Sequence, residues 1–212
     1  MIFIIGCGGF AKEVLFLLEE VKGSLEDFRG FIDYKPTKNK FLCRRTEFDV
    51  IDEVDFLKMN YKKDEIELYI GVGDPRILKN ISDKFNGYKF PNLIHRNVIK
   101  DESVFLGKGN VITAGCVLTV DIKIGSYNIF NLNTTIGHDT VIGDFNVFNP
   151  GANISGSVIL GSENLIGTNS TILQCLKIGD NSILGAGAVL SKNLESNLVA
   201  VGIPAKPIKE NF

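Results

Sequence analysis

A large apolar residue returns every six positions through the second half of the chain, without a miss from Leu106 to Leu190. Neither a helix, with its period of 3.6, nor a strand, with its period of 2, makes that spacing. A coil of short strands does. Each hexad is one flat side plus a corner, three hexads close a triangular turn, and the large residue points inward. Leu106, Ile124, Ile142, Leu160 and Ile178 are then expected to stack as one inner ladder. Ile112, Phe130, Phe148, Ile166 and Leu184 form the second, and Leu118, Ile136, Ile154, Ile172 and Leu190 the third. Glycine follows the large residue in 8 of the 15 units, which suits a backbone that bends where a Cβ would crowd. Asn, Ser, Thr and other small or branched residues two places before it suit a tight corner.

The first hundred residues lack this beat and alternate between short apolar runs and helical periodicity. Met1–Ile5 reads as a buried parallel strand, and Lys12–Val21 as a helix with Val14, Leu15, Leu17, Leu18 and Val21 on its apolar face. Phe28–Asp33 and Glu67–Gly73 read as two more strands, the last followed by Asp74-Pro75 and a helix through Phe85. The expectation is a β-α-β-α-β half-Rossmann unit over residues 1–95, followed by the β-helix over 96–212.

Between the first strand and helix lies Gly6-Cys7-Gly8-Gly9-Phe10-Ala11. Strand, glycine turn and helix together cradle phosphate, because backbone N–H groups converge at a partially positive helix end. Gly6, Gly8 and Ala11, with Asp33 about 20 residues on, match the dinucleotide fingerprint. A full dinucleotide site needs two such halves, so the motif points to one nucleotide diphosphate rather than NAD. Asp33 is placed to accept from a ribose or base edge, and Gly73 ends a strand where a ligand can approach the backbone.

Charge divides the chain in the same place: residues 1–100 carry 33 charged side chains and 101–212 carry 15. A net charge of −2 excludes a dedicated nucleic-acid binder, which needs a basic stripe. No run of 18 apolar residues spans a membrane, and Met1–Phe10 lacks the basic start of a signal peptide. Cys7, Cys43, Cys116 and Cys175 show no CxxC spacing and fit a reducing, cytoplasmic setting.

The chain has two histidines. His95 lies at the junction of the two parts. His138 follows Ile136 by two places, on the outside of the coil, and Asp139 beside it is placed to orient the ring and favour its protonated form. Two histidines cannot furnish the three ligands of a catalytic zinc site, so no metal is expected.

The repeat resembles the hexapeptide-repeat family, whose fold is a left-handed parallel β-helix. That hand comes from the resemblance, since parallel crossovers are generally right-handed. The whole chain is similar to the nucleotide-sugar acetyltransferases grouped with the sialic-acid O-acetyltransferase (NeuD-type) family. The shared pieces are the Gly6–Phe10 turn, Gly30-Phe31-Ile32-Asp33, Val72-Gly73-Asp74, Asn92-Leu93-Ile94-His95, Ile136-Gly137-His138-Asp139 and Val201–Pro207. The resemblance implies direct acetyl transfer from acetyl-CoA to the amine of a nucleotide-linked sugar, with His138 as base. It implies that Gly8, Gly9, Phe10, Asp33 and Gly73 hold the nucleotide and that Asn131 lies beside the acetyl group. It implies further that acetyl-CoA runs along Gly156, Thr168 and Ala186 in the groove of a homotrimer, with Lys206 meeting a phosphate. O-acetylation of a sialic acid or another sugar hydroxyl is the alternative. Two departures stand out: many relatives carry a second histidine near Val147, and a histidine where this chain has Phe10.

Overall fold

The computed structural model describes residues 1–211. Its first part is built from β1 (Ile2–Ile5), α1 (Gly9–Lys22), β2 (Phe28–Asp33), β3 (Lys40–Cys43), β4 (Thr46–Asp52), α2 (Glu53–Lys58), β5 (Glu67–Ile70) and α3 (Pro75–Lys84). The strands lie in the order β3-β4-β2-β1-β5, all parallel except β3, which returns antiparallel along β4. Every residue of β1 is buried, as the continuous apolar run requires of a strand covered on both faces. α1 buries Ala11, Val14, Leu15, Leu17 and Leu18 against the sheet and stops at Gly23, whose φ of 81° lets its N–H donate back to Glu19. At Gly71, just past β5, a Cβ would come within 2.8 Å of Ala11, so glycine there allows α1 to lie close.

The hairpin β3–β4 and the helix α2 correct the simpler β-α-β-α-β pattern read from the sequence. The hairpin turns on Arg44 and Arg45, with φ of 50° and 67°. A two-residue turn of this hand normally draws Asn-Gly, so two arginines gave no turn signal. Their cost is offset by an ion pair from Arg44 to Glu19 and by its guanidinium sitting 5.6 Å from the Phe16 ring.

The second part is a prism of two-residue strands running from Leu93–Ile94 to Val189–Leu190, starting two hexads upstream of Leu106. It forms three parallel faces of stacked strands. Ile124 pairs with Leu106 and Ile142, Phe130 with Ile112 and Phe148, and Ile136 with Leu118 and Ile154. The three inner ladders are therefore as the spacing dictates. Phe130 and Phe148 stack inside, 4.7 Å apart at 7°.

The glycines after the large residues serve close approach rather than bending. A Cβ on Gly107, Gly125 or Gly143 would sit 2.6–2.8 Å from the carbonyl of the next coil. The bend falls two residues later, where Asp121, Tyr127, Asn133, Asp139 and Phe145 all have φ between 54° and 60°. One corner is filled by a buried ladder of Asn110, Asn128, Asn146 and Asn164, each Oδ1 accepting from the backbone N–H eighteen residues on. Asn92 starts it, and no buried side-chain polar atom among the described residues lacks a partner.

One face of the prism is covered by the first part of the chain. Its outward residues Val111, Ile129 and Val147 are each 2% exposed and share the core of the α/β unit. Phe90 packs edge-on to Tyr127 at 5.2 Å, Tyr127 stacks on Phe145, and Lys79 pairs with Glu163 at 2.6 Å. Val147 is thus an apolar seam residue. After the last coil, Leu198–Val201 extends the covered face and Lys206–Glu210 folds back on it antiparallel. Among the described residues no helix is long and apolar enough to cross a membrane.

Candidate active site

Two regions gather the residues that carry chemistry. The first lies at the carboxyl ends of β1, β2 and β5, where open parallel sheets bind ligands. Gly6 turns the chain out of β1 with a φ of 105°, and a Cβ there would strike Val72 at 2.6 Å. Gly8, Gly9 and Gly73 face open space, with nothing within 4 Å of a built Cβ. Gly8 precedes α1 with no side-chain cap, and the first turn carries no acidic residue. The uncapped N–H groups and the positive end of the dipole are therefore available to an anion.

Asp33 ends β2, with Oδ1 accepting from the Tyr34 N–H at 2.8 Å. It lines a pocket of about 230 Å³ with Cys7, Pro36, Thr37, Lys38, Lys40, Phe41 and Val50. Burial, and then the Asp33 carboxylate beside it, push the Cys7 thiol up to about 12. Cys7 is therefore a neutral wall rather than a nucleophile. Phe10 is half-buried against the core of the unit. Pro36, Lys38 and Lys40 were invisible to motif reasoning because they lie in the loop leading into the hairpin and at its first residue, and the hairpin carries no local turn signal.

The second region is an outer corner of the prism. His138 Nδ1 lies 2.7 Å from Asp139 Oδ2, and both side chains are 61% exposed. Asp139 takes the left-handed corner, φ 59°, which turns its carboxylate back toward the ring. With Nδ1 donating to that carboxylate, Nε2 is left as a free acceptor on an exposed imidazole, the arrangement of a general base. The ring leans over Gly156 of the next coil: a Cβ built there would lie 2.6 Å from Nε2. The Ser157 N–H donates to the His138 carbonyl at 2.7 Å and ties the two coils beneath the ring.

The other candidates fall elsewhere. Asn131 is on the neighbouring corner, with Oδ1 accepting from the Leu132 N–H. Thr168 and Ala186 share that corner's column, both exposed, linked by the Gly187 N–H donating to the Thr168 carbonyl. Lys206 lies exposed on the returning tail, which the Ala205 N–H ties to Val189 at 2.7 Å. Within one chain, then, His138, Asp139 and Gly156 come together, and Asn131, Thr168 and Ala186 do not join them. Cys116 is buried and Cys175 exposed, with no histidine beside either in sequence. Among the described residues no group of three His, Cys, Asp or Glu side chains is placed to hold a metal.

Residues 1–85 match the PglD N-terminal domain, and residues 157–192 match the bacterial transferase hexapeptide (six repeats). Three solved structures superpose over nearly the whole chain. The perosamine N-acetyltransferase of Caulobacter crescentus, a histidine-to-asparagine mutant with CoA and GDP-perosamine, has a TM-score of 0.86 at 26% identity, covering 99% of this chain and 97% of that one. The acetyltransferase domain of PglB from Neisseria gonorrhoeae FA1090, with acetyl coenzyme A, has a TM-score of 0.84 at 27% identity, with 98% of each chain covered. WeeI from Acinetobacter baumannii AYE has a TM-score of 0.83 at 29% identity, covering 98% of this chain and 99% of that one. The chain belongs with the PglD/NeuD-like hexapeptide acetyltransferases. In this hexapeptide acetyltransferase the prism is the left-handed β-helix of the group, and the α/β unit is its PglD-type domain. No curated protein sequence matches the chain significantly.

Proposed function

We propose that this acetyltransferase moves the acetyl group of acetyl-CoA onto the amine of a nucleotide-linked amino-deoxy sugar, with His138 as general base. The observation that carries the reading is the His138–Asp139 pair at 2.7 Å on an outward corner, with Nε2 free. The amine attacks the thioester carbonyl carbon and the C–N bond forms. Nε2 takes the amine proton, and the Asp139 carboxylate stabilises the imidazolium. The tetrahedral intermediate then collapses, the C–S bond breaks, and the imidazolium returns its proton to the departing thiolate. A positioned base of this kind contributes roughly 10²–10⁴-fold. Burial keeps the Cys116 thiol protonated, so no acyl-cysteine is invoked.

The sugar nucleotide is assigned to the α/β unit. Gly8, Gly9 and Phe10 with the end of α1 take the diphosphate, Asp33 takes a ribose or base edge, and Gly73 lets the ligand approach. Acetyl-CoA is assigned to the prism backbone near Gly156, Thr168 and Ala186, with Lys206 as a point charge for a phosphate. Gly156 lies beneath His138, whereas Thr168, Ala186 and Lys206 lie away from that corner, and in this reading a homotrimer joins one copy's His138 corner to a neighbour's Thr168 column. Exposed Ile99, Phe105, Val141 and Ile159 on the two uncovered faces favour self-association. The similarity to the GDP-perosamine N-acetyltransferase of Caulobacter crescentus, solved with CoA and GDP-perosamine, favours nitrogen over oxygen as the acceptor.

Thiol release from acetyl-CoA, measured with GDP-, UDP- and dTDP-linked amino sugars, tests this. His138→Ala is expected to lower kcat by about a hundredfold to ten-thousandfold while nucleotide binding, read by thermal shift, stays unchanged. A variant with full turnover would remove His138 from the reaction. Stabilisation by free sialic acid and by none of the nucleotides would overturn the substrate class.

A further inference from the structure

We infer that Gly156 is a positioning residue for His138, and that the absence of a side chain there sets the ring's pose. The inference rests on the reading of His138 as base and concerns how the fold holds it. The position two places after each large residue is occupied, from Lys108 to Lys192, by Lys, Ala, Val, Ser, Leu, His, Asp, Pro, Gly, Ser, Thr, Gln, Asp, Ala and Lys. Glycine occurs there once, at Gly156, in the column of His138 and one coil below it. The fold does not demand that glycine. Its φ lies outside the left-handed region, so an L side chain meets no backbone strain.

What a side chain would meet is His138 itself. The three nearest atoms to a built Cβ are Nε2 at 2.6 Å, Cε1 at 2.7 Å and Cδ2 at 3.0 Å, all from that ring. The glycines that follow the large residues behave differently: at Gly107, Gly125 and Gly143 backbone atoms of the next coil are among the near contacts, and those glycines serve the stacking of coils. At 156 the two coils are pinned by the Ser157-to-His138 backbone hydrogen bond, so the backbone does not yield. A methyl group there displaces the imidazole, and Nδ1 loses its 2.7 Å contact to Asp139. On the opposite side, the column holds Val120, which keeps its side chain. The ring therefore rests on the one bare backbone position in its column, with Nε2 over it and Nδ1 held by Asp139. Both constraints fix the same two torsions, which is what a base needs to meet its proton at hydrogen-bonding distance.

Gly156→Ala is the test, with the full-length enzyme, acetyl-CoA and the accepted nucleotide sugar. The expected result is a fall in kcat of about a hundredfold, with KM for the nucleotide sugar within about twofold of wild type and an unchanged melting temperature. Because the chain has two histidines, the side-chain nitrogen resonances of His138 are assignable by comparison with His138→Ala. Those resonances are expected to move in Gly156→Ala as the Asp139 contact is lost. In the His138→Ala background, adding Gly156→Ala is expected to cost no further rate, since the ring it displaces is gone. A wild-type kcat in Gly156→Ala would overturn the inference. So would a raised KM for acetyl-CoA with kcat intact, an additive loss in the double variant, or unmoved His138 resonances. The resonances report the ring whether or not it is the base. Full activity in His138→Ala, together with His138 resonances that move in the single variant Gly156→Ala, would sink the base assignment and leave the positioning intact.

Discussion

In the prism a residue's surroundings are copied eighteen positions on. Ile124 lies between Leu106 and Ile142, and Asn128 lies between Asn110 and Asn146. In the α/β unit no residue has such a counterpart: Phe31 meets Phe28, Phe41 and Phe48 edge-on, each in its own way. The difference decides where chemistry can be carried and how. The repeat prescribes its inward and corner positions and leaves the outward ones free, so His138 enters the coil without disturbing a ladder. The α/β unit prescribes nothing by translation, and its pocket is assembled from the ends of β1 and β2, the loop after β2 and the hairpin. One region presents a reactive group on a rigid rod, and the other shapes a cavity. An enzyme that joins a common acyl donor to a particular acceptor needs both.

The comparison breaks most visibly if the prism core proves tolerant. Phe148 is fully buried and stacked on Phe130. Phe148→Ala is expected to lose about 3–5 kcal/mol, because neighbouring coils hold the cavity open. Denaturant unfolding measures it, and a loss under about 1 kcal/mol would show that the coils collapse around a gap. A smaller effect is expected at the asparagine corner. Asn146 Oδ1 accepts from the Asn164 backbone at 2.9 Å, and its Nδ2 donates to Asn128 Oδ1 at 3.0 Å and to the Gly161 carbonyl at 2.9 Å. Asn146→Ala takes that partner from the Asn164 N–H and the Gly161 carbonyl, while Asn128 Oδ1 keeps the Asn146 backbone N–H, at a cost of about 1–3 kcal/mol. Equal stability of variant and wild type would mean that water enters the corner.

The same contrast explains what the sequence revealed. The three ladders were legible because each is repeated five times, and a translation forgives local exceptions. The two opening strands, Leu93–Ile94 and Ile99–Lys100, were missed because Lys100 puts a charge where the beat wants an apolar residue. In the α/β unit, strands backed by long apolar runs were legible, and the β3–β4 hairpin was not. Its turn depends on Arg44 reaching Glu19 on α1, a contact that no local pattern encodes. The pocket around Asp33 was therefore seen only from its strand end, and its Pro36, Lys38 and Lys40 side went unread. Gly156 was read as a backbone contact for acetyl-CoA. That His138 lies over it follows only once the coils are stacked.

The smallest effect sharpens the comparison at the thiols. Cys175 sits on an exposed prism corner, whereas Cys7 lines the pocket with Asp33. The thiolate is the form that reacts with iodoacetamide. The Cys7 thiol is pushed up to about 12 by burial and by Asp33, so its thiolate is scarce throughout the ordinary range. The sign is fixed: with its thiolate withheld by burial and by Asp33, Cys7 stays slow as the pH is raised from about 7 to 9 and lags the exposed Cys175. Peptide mapping after timed alkylation reads both sites in one sample. Asp33→Asn removes the smaller of the two causes, so Cys7 should speed up modestly and still lag Cys175. Equal rates in the wild-type chain would mean that the pocket is open to water and that Asp33 does not face it. The α/β unit would then present a flat surface, as the prism corner does, and Asp33 would no longer be placed to recognise a nucleotide.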